Sequence, residues 1–127
     1  ANSVNLAGHV VIENYVTVGG MTPVHQFVRI GQHVFIGGGF RVSKDIPPFI
    51  LASGEPLRFT GLNSVGLQRR NFAPEVVAAL KRAYRTIFRS RLNVSQALAK
   101  LQQEPAMLPE VKAVVDFIQN SERGIIN

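Results

Sequence analysis

Counting every sixth residue from Leu6 gives Leu6, Ile12, Val18, Val24, Ile30, Ile36 and Val42, and all seven are aliphatic. Two residues before each runs a second series, Val4, Val10, Val16, Thr22, Val28, Val34 and Phe40, continued by Ile46, in which Thr22 alone is polar. Since roughly half of the residues in an ordinary domain are apolar, seven in phase would arise by chance about once in a hundred sequences, and the paired series makes chance rarer still. A period of six is foreign to a helix, whose apolar face returns every 3.6 residues. It suits a short strand, in which positions i and i+2 share a face, followed by a sharp corner. The residue after each aliphatic is often small (Ala7, Gly19, Gly31, Gly37, Ser43), so the reading places glycines at corners, where φ > 0 costs them nothing. Stacked units of this kind make a parallel β-helix.

At Asp45-Ile46-Pro47-Pro48 the repeat breaks. Two prolines remove two ladder donors, so the regular coil is expected to end there, with an irregular stretch to about Thr60 turning at Gly54-Glu55-Pro56. A short helix is expected over 61–72, weakened by Gly66. A stronger one over 74–91 has Pro74 in its first turn and Val76, Leu80, Ala83 and Ile87 at helical spacing. Asn93 reads as the N-cap of a helix carrying Val94, Ala97, Leu98 and Leu101. A last helix from about Pro109 carries Val111, Val114, Val115 and Ile118, with Gly124 at or after its end. The division that follows is 1–48, partial β-helix, and 49–127, connecting loop and helical region.

Charge and composition narrow the function. The chain of 127 residues carries +6, and seven basic residues (Arg69, Arg70, Lys81, Arg82, Arg85, Arg89, Arg91) lie within one stretch opposed by Glu75 alone. Such a field favours an acidic partner. Tyr84 and Phe88 are the few aromatics on that segment and no nucleic-acid motif accompanies it, so no nucleic-acid partner is expected. No apolar run approaches the ~20 residues that span a bilayer, so no stable membrane insertion is expected. Without cysteine there is neither a disulfide nor a thiolate metal site. Neither a basic n-region nor an apolar h-region opens the sequence, and a cytoplasmic protein is the expectation.

Several residues carry possible chemistry. His25 and Gln26 follow His9 by 16 and 17 residues, an acid–base group and a donor–acceptor pair downstream of a second histidine; exposed corner residues are the alternative. Gly37-Gly38-Gly39 is either a tight corner or bare backbone that a ligand approaches. Arg69-Arg70, with Asn63 upstream, is either a diphosphate grip or a pair of surface arginines. His33 reads as structural. Three histidines without a supporting carboxylate make a poor metal site, so none is expected.

The repeat resembles that of the hexapeptide-repeat acyltransferases, which form left-handed parallel β-helices of three hexapeptides per coil. Ala1 to Asp45 would then be about two and a half coils, and the polypeptide is expected to extend further towards the N-terminus, since stacked repeats need neighbours and caps. The runs Leu6-Ala7-Gly8-His9-Val10, Gly19-Gly20-Met21-Thr22-Pro23-Val24-His25-Gln26-Phe27, Asp45-Ile46-Pro47-Pro48-Phe49 and Gly66-Leu67-Gln68-Arg69-Arg70-Asn71-Phe72, in that order, are similar to those of the UDP-N-acetylglucosamine O-acyltransferases along essentially the whole chain. That resemblance implies a homotrimer with clefts between subunits. It implies transfer of an (R)-3-hydroxyacyl chain from acyl carrier protein to the 3-hydroxyl of UDP-N-acetylglucosamine, with no cofactor and no metal. It assigns His9, His25, Gln26, Asn63, Arg69 and Arg70 to substrate binding, Gly38 to the acyl-chain cleft, and Arg82, Arg85 and Arg89 to carrier docking. The family's general-base histidine belongs upstream of Ala1, so no catalytic residue is assigned within this chain. Pro56 and Val65 stand where some members carry histidine and glutamate. The alternatives are a non-catalytic trimeric scaffold on the same coil and a related UDP-sugar N-acyltransferase.

Overall fold

The computed structural model describes residues 5–6, 10–20 and 22–127. Its first part is built from two-residue strands: β1 (Asn5–Leu6), β2 (Val11–Ile12), β3 (Thr17–Val18), β4 (Pro23–Val24), β5 (Arg29–Ile30) and β6 (Phe35–Ile36). β1, β2 and β3 each pair in parallel with the strand 18 residues later, as in Asn5↔Pro23, Val11↔Arg29 and Thr17↔Phe35. Three hexads therefore make one turn with three sheet faces, and the aliphatic series fills the inside. Val18, Val24, Val28, Ile30, Val34, Ile36, Val42 and Ile46 are all buried. Burying one such side chain contributes about 1.5–3 kcal/mol, which explains why the phase of the repeat is held so strictly. Thr22, the polar exception, is also buried, and its hydroxyl donates to the Gly19 carbonyl at 2.6 Å.

The corners differ from the expectation. Gly19, Gly31 and Gly37 do not take positive φ; among non-glycine residues Tyr15 (60°), Phe27 (67°), His33 (57°) and Phe49 (73°) do. The repeat glycines serve close approach instead. A Cβ on Gly31 would lie 2.5 Å from the Pro48 nitrogen and 2.7 Å from its Cα, both backbone atoms of the next coil. Gly31→Ala is therefore expected to force the coils apart and lower the unfolding free energy by about 1–3 kcal/mol, read from urea unfolding. A change below 0.5 kcal/mol would show that the layers yield.

The coil does not end at the prolines. Val24↔Val42 keeps the 18-residue offset, while Ile30↔Ile46 and Phe35↔Leu51 fall to 16. Pro47 and Pro48 occupy a corner shortened by two residues, where no ladder donor is required. The stretch read as irregular is a hairpin: β7 (Ile50–Ser53) extends the third face, and β8 (Arg58–Leu62) returns antiparallel to it. The turn contains a cis Glu55–Pro56 bond and Gly54 at φ 94°. β8 takes Gly61 and Leu62, so helix α1 spans only Ser64–Arg69.

The helical region follows its sequence pattern closely. Helix α2 (Pro74–Arg89) buries Ala79, Leu80, Ala83, Tyr84 and Ile87, and ends two residues before the expected Arg91. α3 (Val94–Gln102) starts in a capping box, with Asn93 Oδ1 accepting from the Gln96 amide at 2.8 Å and Gln96 Oε1 from the Asn93 amide at 3.0 Å. α4 (Pro109–Gln119) buries Val111, Val114, Val115, Phe117 and Ile118. Gly124 lies beyond it, in a tail that returns to the coil through the bridge Asp45↔Ile125. Tyr84 joins helix to coil: its hydroxyl donates to the Pro48 carbonyl at 2.5 Å, and complete burial raises the phenol's pKa well above 10.0, keeping it a donor. Among the described residues no helix is long and apolar enough to cross a membrane.

Candidate functional site

A short helix with a demanding start places the candidate site. Asn63 is buried, and its Oδ1 accepts from the Gly66 amide at 3.1 Å, capping α1. Its Nδ2 donates to the His33 carbonyl at 2.9 Å, so one amide ties the helix to the coil. Gly66 keeps that cap possible, because a Cβ there would lie 2.5 Å from Asn63 Nδ2. The C-terminal end of α1 presents Arg69 and Arg70, both exposed. The cap is thus what aims two guanidiniums over the third face of the coil.

Below them lies a cleft of about 550 Å³ lined by Tyr15, Thr17, His33, Phe35, Leu51, Asn63, Val65, Gly66, Arg69 and Arg70. Its wall is a column of rings. Tyr15 stacks on His33 with centroids 4.8 Å apart, His33 stacks on Phe49 at 5.7 Å, and Phe72 meets His33 edge-on at 5.0 Å. Tyr15, His33 and Phe49 sit at the same corner of successive coils, at positive-φ positions. Burial first, and the Arg70 charge second, lower the His33 pKa below its ordinary 6.5, so the ring is neutral at physiological pH. Among the described residues no carboxylate lines the cleft. Among the described residues the single ion pair is Lys112–Asp116, at 2.7 Å on the α4 surface. The cleft therefore offers two forked donors and no competing anion, a setting for a phosphate or diphosphate beside an aromatic wall.

Of the residues singled out from sequence, Asn63, Arg69 and Arg70 share this cleft. His25 and Gln26 do not line it; they lie at another corner, where the His25 amide donates to the Val42 carbonyl at 2.8 Å and the Gln26 carbonyl accepts from Arg123 Nη1 at 3.0 Å. Gly38 occupies a third place, an exposed corner stacked on Gly19 and Gly20. His9 lies outside the described residues. The basic residues of α2 also divide. Arg82 lines a small cavity of about 90 Å³ with Glu104. Arg85 and Arg89 flank Phe59, Leu62, Lys81 and Tyr84, and Arg89 further lines a cleft of about 700 Å³ with Lys44 and Arg58. Lys44 and Arg58 join this basic surface only through folding, since neither lies near α2 in the sequence. Tyr15 and Phe35 were missed for a similar reason: Tyr15/His33 and Thr17/Phe35 are pairs between layers, and an outward side chain carries no local pattern that marks it. Among the described residues no group of three His, Cys, Asp or Glu side chains is placed to hold a metal ion.

The chain has clear relatives. The family described as UDP-N-acetylglucosamine O-acyltransferase, domain 2, matches residues 45–126. An acyl-[acyl-carrier-protein]–UDP-N-acetylglucosamine O-acyltransferase of Thiobacillus denitrificans is 47% identical over 126 residues, covering 99% of this chain and 49% of that protein. A protein of the same name from Burkholderia mallei is 41% identical over 130 residues, covering 99% of this chain and 50% of the relative. Among solved structures, a UDP-N-acetylglucosamine acyltransferase from Bacteroides fragilis superposes with a TM-score of 0.96 at 46% identity, over 99% of this chain and 49% of that one. The Arabidopsis UDP-N-acetylglucosamine acyltransferase gives 0.92 at 38% identity, over 99% and 47%. The chain spans about half the length of the relatives it matches.

Proposed function

Because this chain belongs to the UDP-N-acetylglucosamine O-acyltransferase family, we propose that it is the nucleotide-binding, C-terminal portion of an enzyme that acylates UDP-N-acetylglucosamine, the first step of lipid A synthesis. The carrying observation is the cleft in which Arg69, Arg70 and the capped Asn63 meet without a carboxylate. In the reaction, the sugar 3-hydroxyl oxygen attacks the thioester carbonyl of an (R)-3-hydroxyacyl acyl carrier protein. The new ester C–O bond forms, the C–S bond breaks, and the hydroxyl proton passes by way of a base to the departing thiol. No residue of this chain is assigned to that base. Arg69 and Arg70 take the diphosphate, and Asn63 fixes their direction.

On this reading the coil is left-handed, 49–127 form the region that follows the hexad repeat, with β7 carrying the third face on before the helices, and three copies assemble in the cytoplasm. His25, Gln26 and Gly38 lie at corners of the coil away from the cleft that Arg69 and Arg70 line, which suits a site shared between neighbouring copies. There His9, His25 and Gln26 would contact substrate and Gly38 would leave room for the acyl chain. Arg85 and Arg89, with Arg82 on the flank, would receive the acidic carrier protein.

Calorimetric titration with UDP-N-acetylglucosamine, with native mass measured on the same sample, tests the reading. Arg69→Ala combined with Arg70→Ala is expected to weaken binding at least tenfold, the loss of two charge-assisted contacts, while leaving the assembly mass unchanged. Unchanged affinity in a well-formed trimer would remove the phosphate role. A trimer of the unsubstituted chain that binds nothing would favour the scaffold.

A further inference from the structure

We propose that Tyr15 is a positioning residue that holds the Arg70 guanidinium over the cleft, an inference that rests on the nucleotide reading of that cleft. The Arg70 guanidinium carbon lies 4.1 Å from the centroid of the Tyr15 ring. A cation so placed is attracted by the ring face, most strongly where water is partly excluded. Arg70 has no carboxylate partner among the described residues, so nothing else of opposite charge restrains a long side chain with many rotamers. A planar group lying on a ring keeps its N–H edge free, and that edge is the part that grips a phosphate bidentately.

The ring is itself held firmly. It rests on His33, which rests on Phe49, with Phe72 closing the side. Arg70, Tyr15, His33 and Phe49 thus form a continuous pile of planar groups. Tyr15 is 56% exposed, so burial does not account for a large aromatic there. Its φ of 60° is a conformation that bulky L-residues rarely adopt. The corner conformation recurs at His33 and Phe49, but Tyr15 is the ring that meets the cation. The neutral state of His33 serves the same end, since a charged imidazole would repel Arg70 from within the pile.

The test is a cycle of variants read in two ways. In the free protein, the Arg70 side-chain Nε–H resonance should show a ring-current shift that Tyr15→Leu abolishes and Tyr15→Phe keeps. In UDP titrations, Tyr15→Leu should weaken affinity about five- to tenfold, in the range of a partly desolvated cation–π contact. Tyr15→Phe should stay within about twofold, because the ring face is retained. In an Arg70→Ala background, Tyr15→Leu should cost less than about twofold, since the partner is gone. An Arg70 resonance indifferent to Tyr15→Leu overturns the proposal, and so does an equal penalty with and without Arg70. If the unsubstituted chain binds no UDP, the nucleotide reading falls, and the resonance experiment alone decides whether Tyr15 holds Arg70.

Discussion

Asn63→Ala is expected to lower the unfolding free energy by about 2–4 kcal/mol and, in the protein that remains folded, to weaken nucleotide binding about tenfold. The side chain performs two tasks at once. As N-cap of α1 it accepts from the Gly66 amide, and loss of such a cap costs about 1 kcal/mol. As donor it satisfies the His33 carbonyl inside the protein, and an orphaned buried acceptor costs a further 1–3 kcal/mol or so. The binding defect follows from geometry. α1 has six residues, too few to be stable alone, and Arg69 and Arg70 close it. Without the cap the two guanidiniums lose their fixed direction. Urea unfolding together with UDP titration checks both effects, and Asn63→Ser separates the tasks. Serine caps about as well as asparagine but cannot reach the His33 carbonyl as an amide does, so it should recover about 1 kcal/mol and much of the affinity. If alanine and serine behave alike, the cap is not what aims the arginines.

Asn63 also shows where sequence reasoning stopped. The short helix was expected from Gly61, but Gly61 and Leu62 belong to β8, and capping by Asn63 sets the true start. Behind this lies one physical cause. The two prolines read as the end of the coil because they remove ladder donors, yet at a corner no donor is needed, so the third face continued through β7. The inside of the coil was legible because every hexad repeats the same burial. Its outside was not, because an outward ring matters only relative to whatever lies one coil above it. Tyr15 and His33 are 18 residues apart and carry no local pattern. The corner glycines illustrate the same limit: glycines recurring after the aliphatic series look like a demand for positive φ, whereas Gly31 answers the approach of Pro48 from the next layer. The helices were legible to within a turn because their caps and apolar faces are local.

Asp45→Ala should be the most destabilising of these single substitutions, by about 3–5 kcal/mol, and should leave UDP affinity within about twofold. Asp45 is 1% exposed. Its Oδ1 accepts from the Arg29 amide at 2.8 Å and its Oδ2 from the Ser121 hydroxyl at 2.6 Å. Each bond to a charged acceptor is worth about 1.5–3 kcal/mol, and the Arg29 amide would be left without its partner. The same residue's backbone pairs with the tail, donating to the Gly124 carbonyl at 2.9 Å and accepting from the Ile126 amide at 3.0 Å. Asp45 thus fastens the returning chain to the coil, and Arg123 completes the seam by donating to the Ser43 and Gln26 carbonyls. Amide exchange should report the damage directly, with faster exchange at Ile126 and at Phe59, whose amide donates to the Asn127 carbonyl. Asp45→Asn keeps an acceptor for the Arg29 amide and can still bond the Ser121 hydroxyl, so it should lose only about 1 kcal/mol. The cleft of Asn63, Arg69 and Arg70 is anchored to His33 rather than to the tail, which is why affinity should survive. Asn63→Ala, by contrast, should lose stability and affinity together. Equal losses for Asp45→Ala and Asp45→Asn would show that the carboxylate's hydrogen bonds do not hold the tail, and a tenfold fall in affinity for Asp45→Ala would show that coil, tail and cleft yield as one unit.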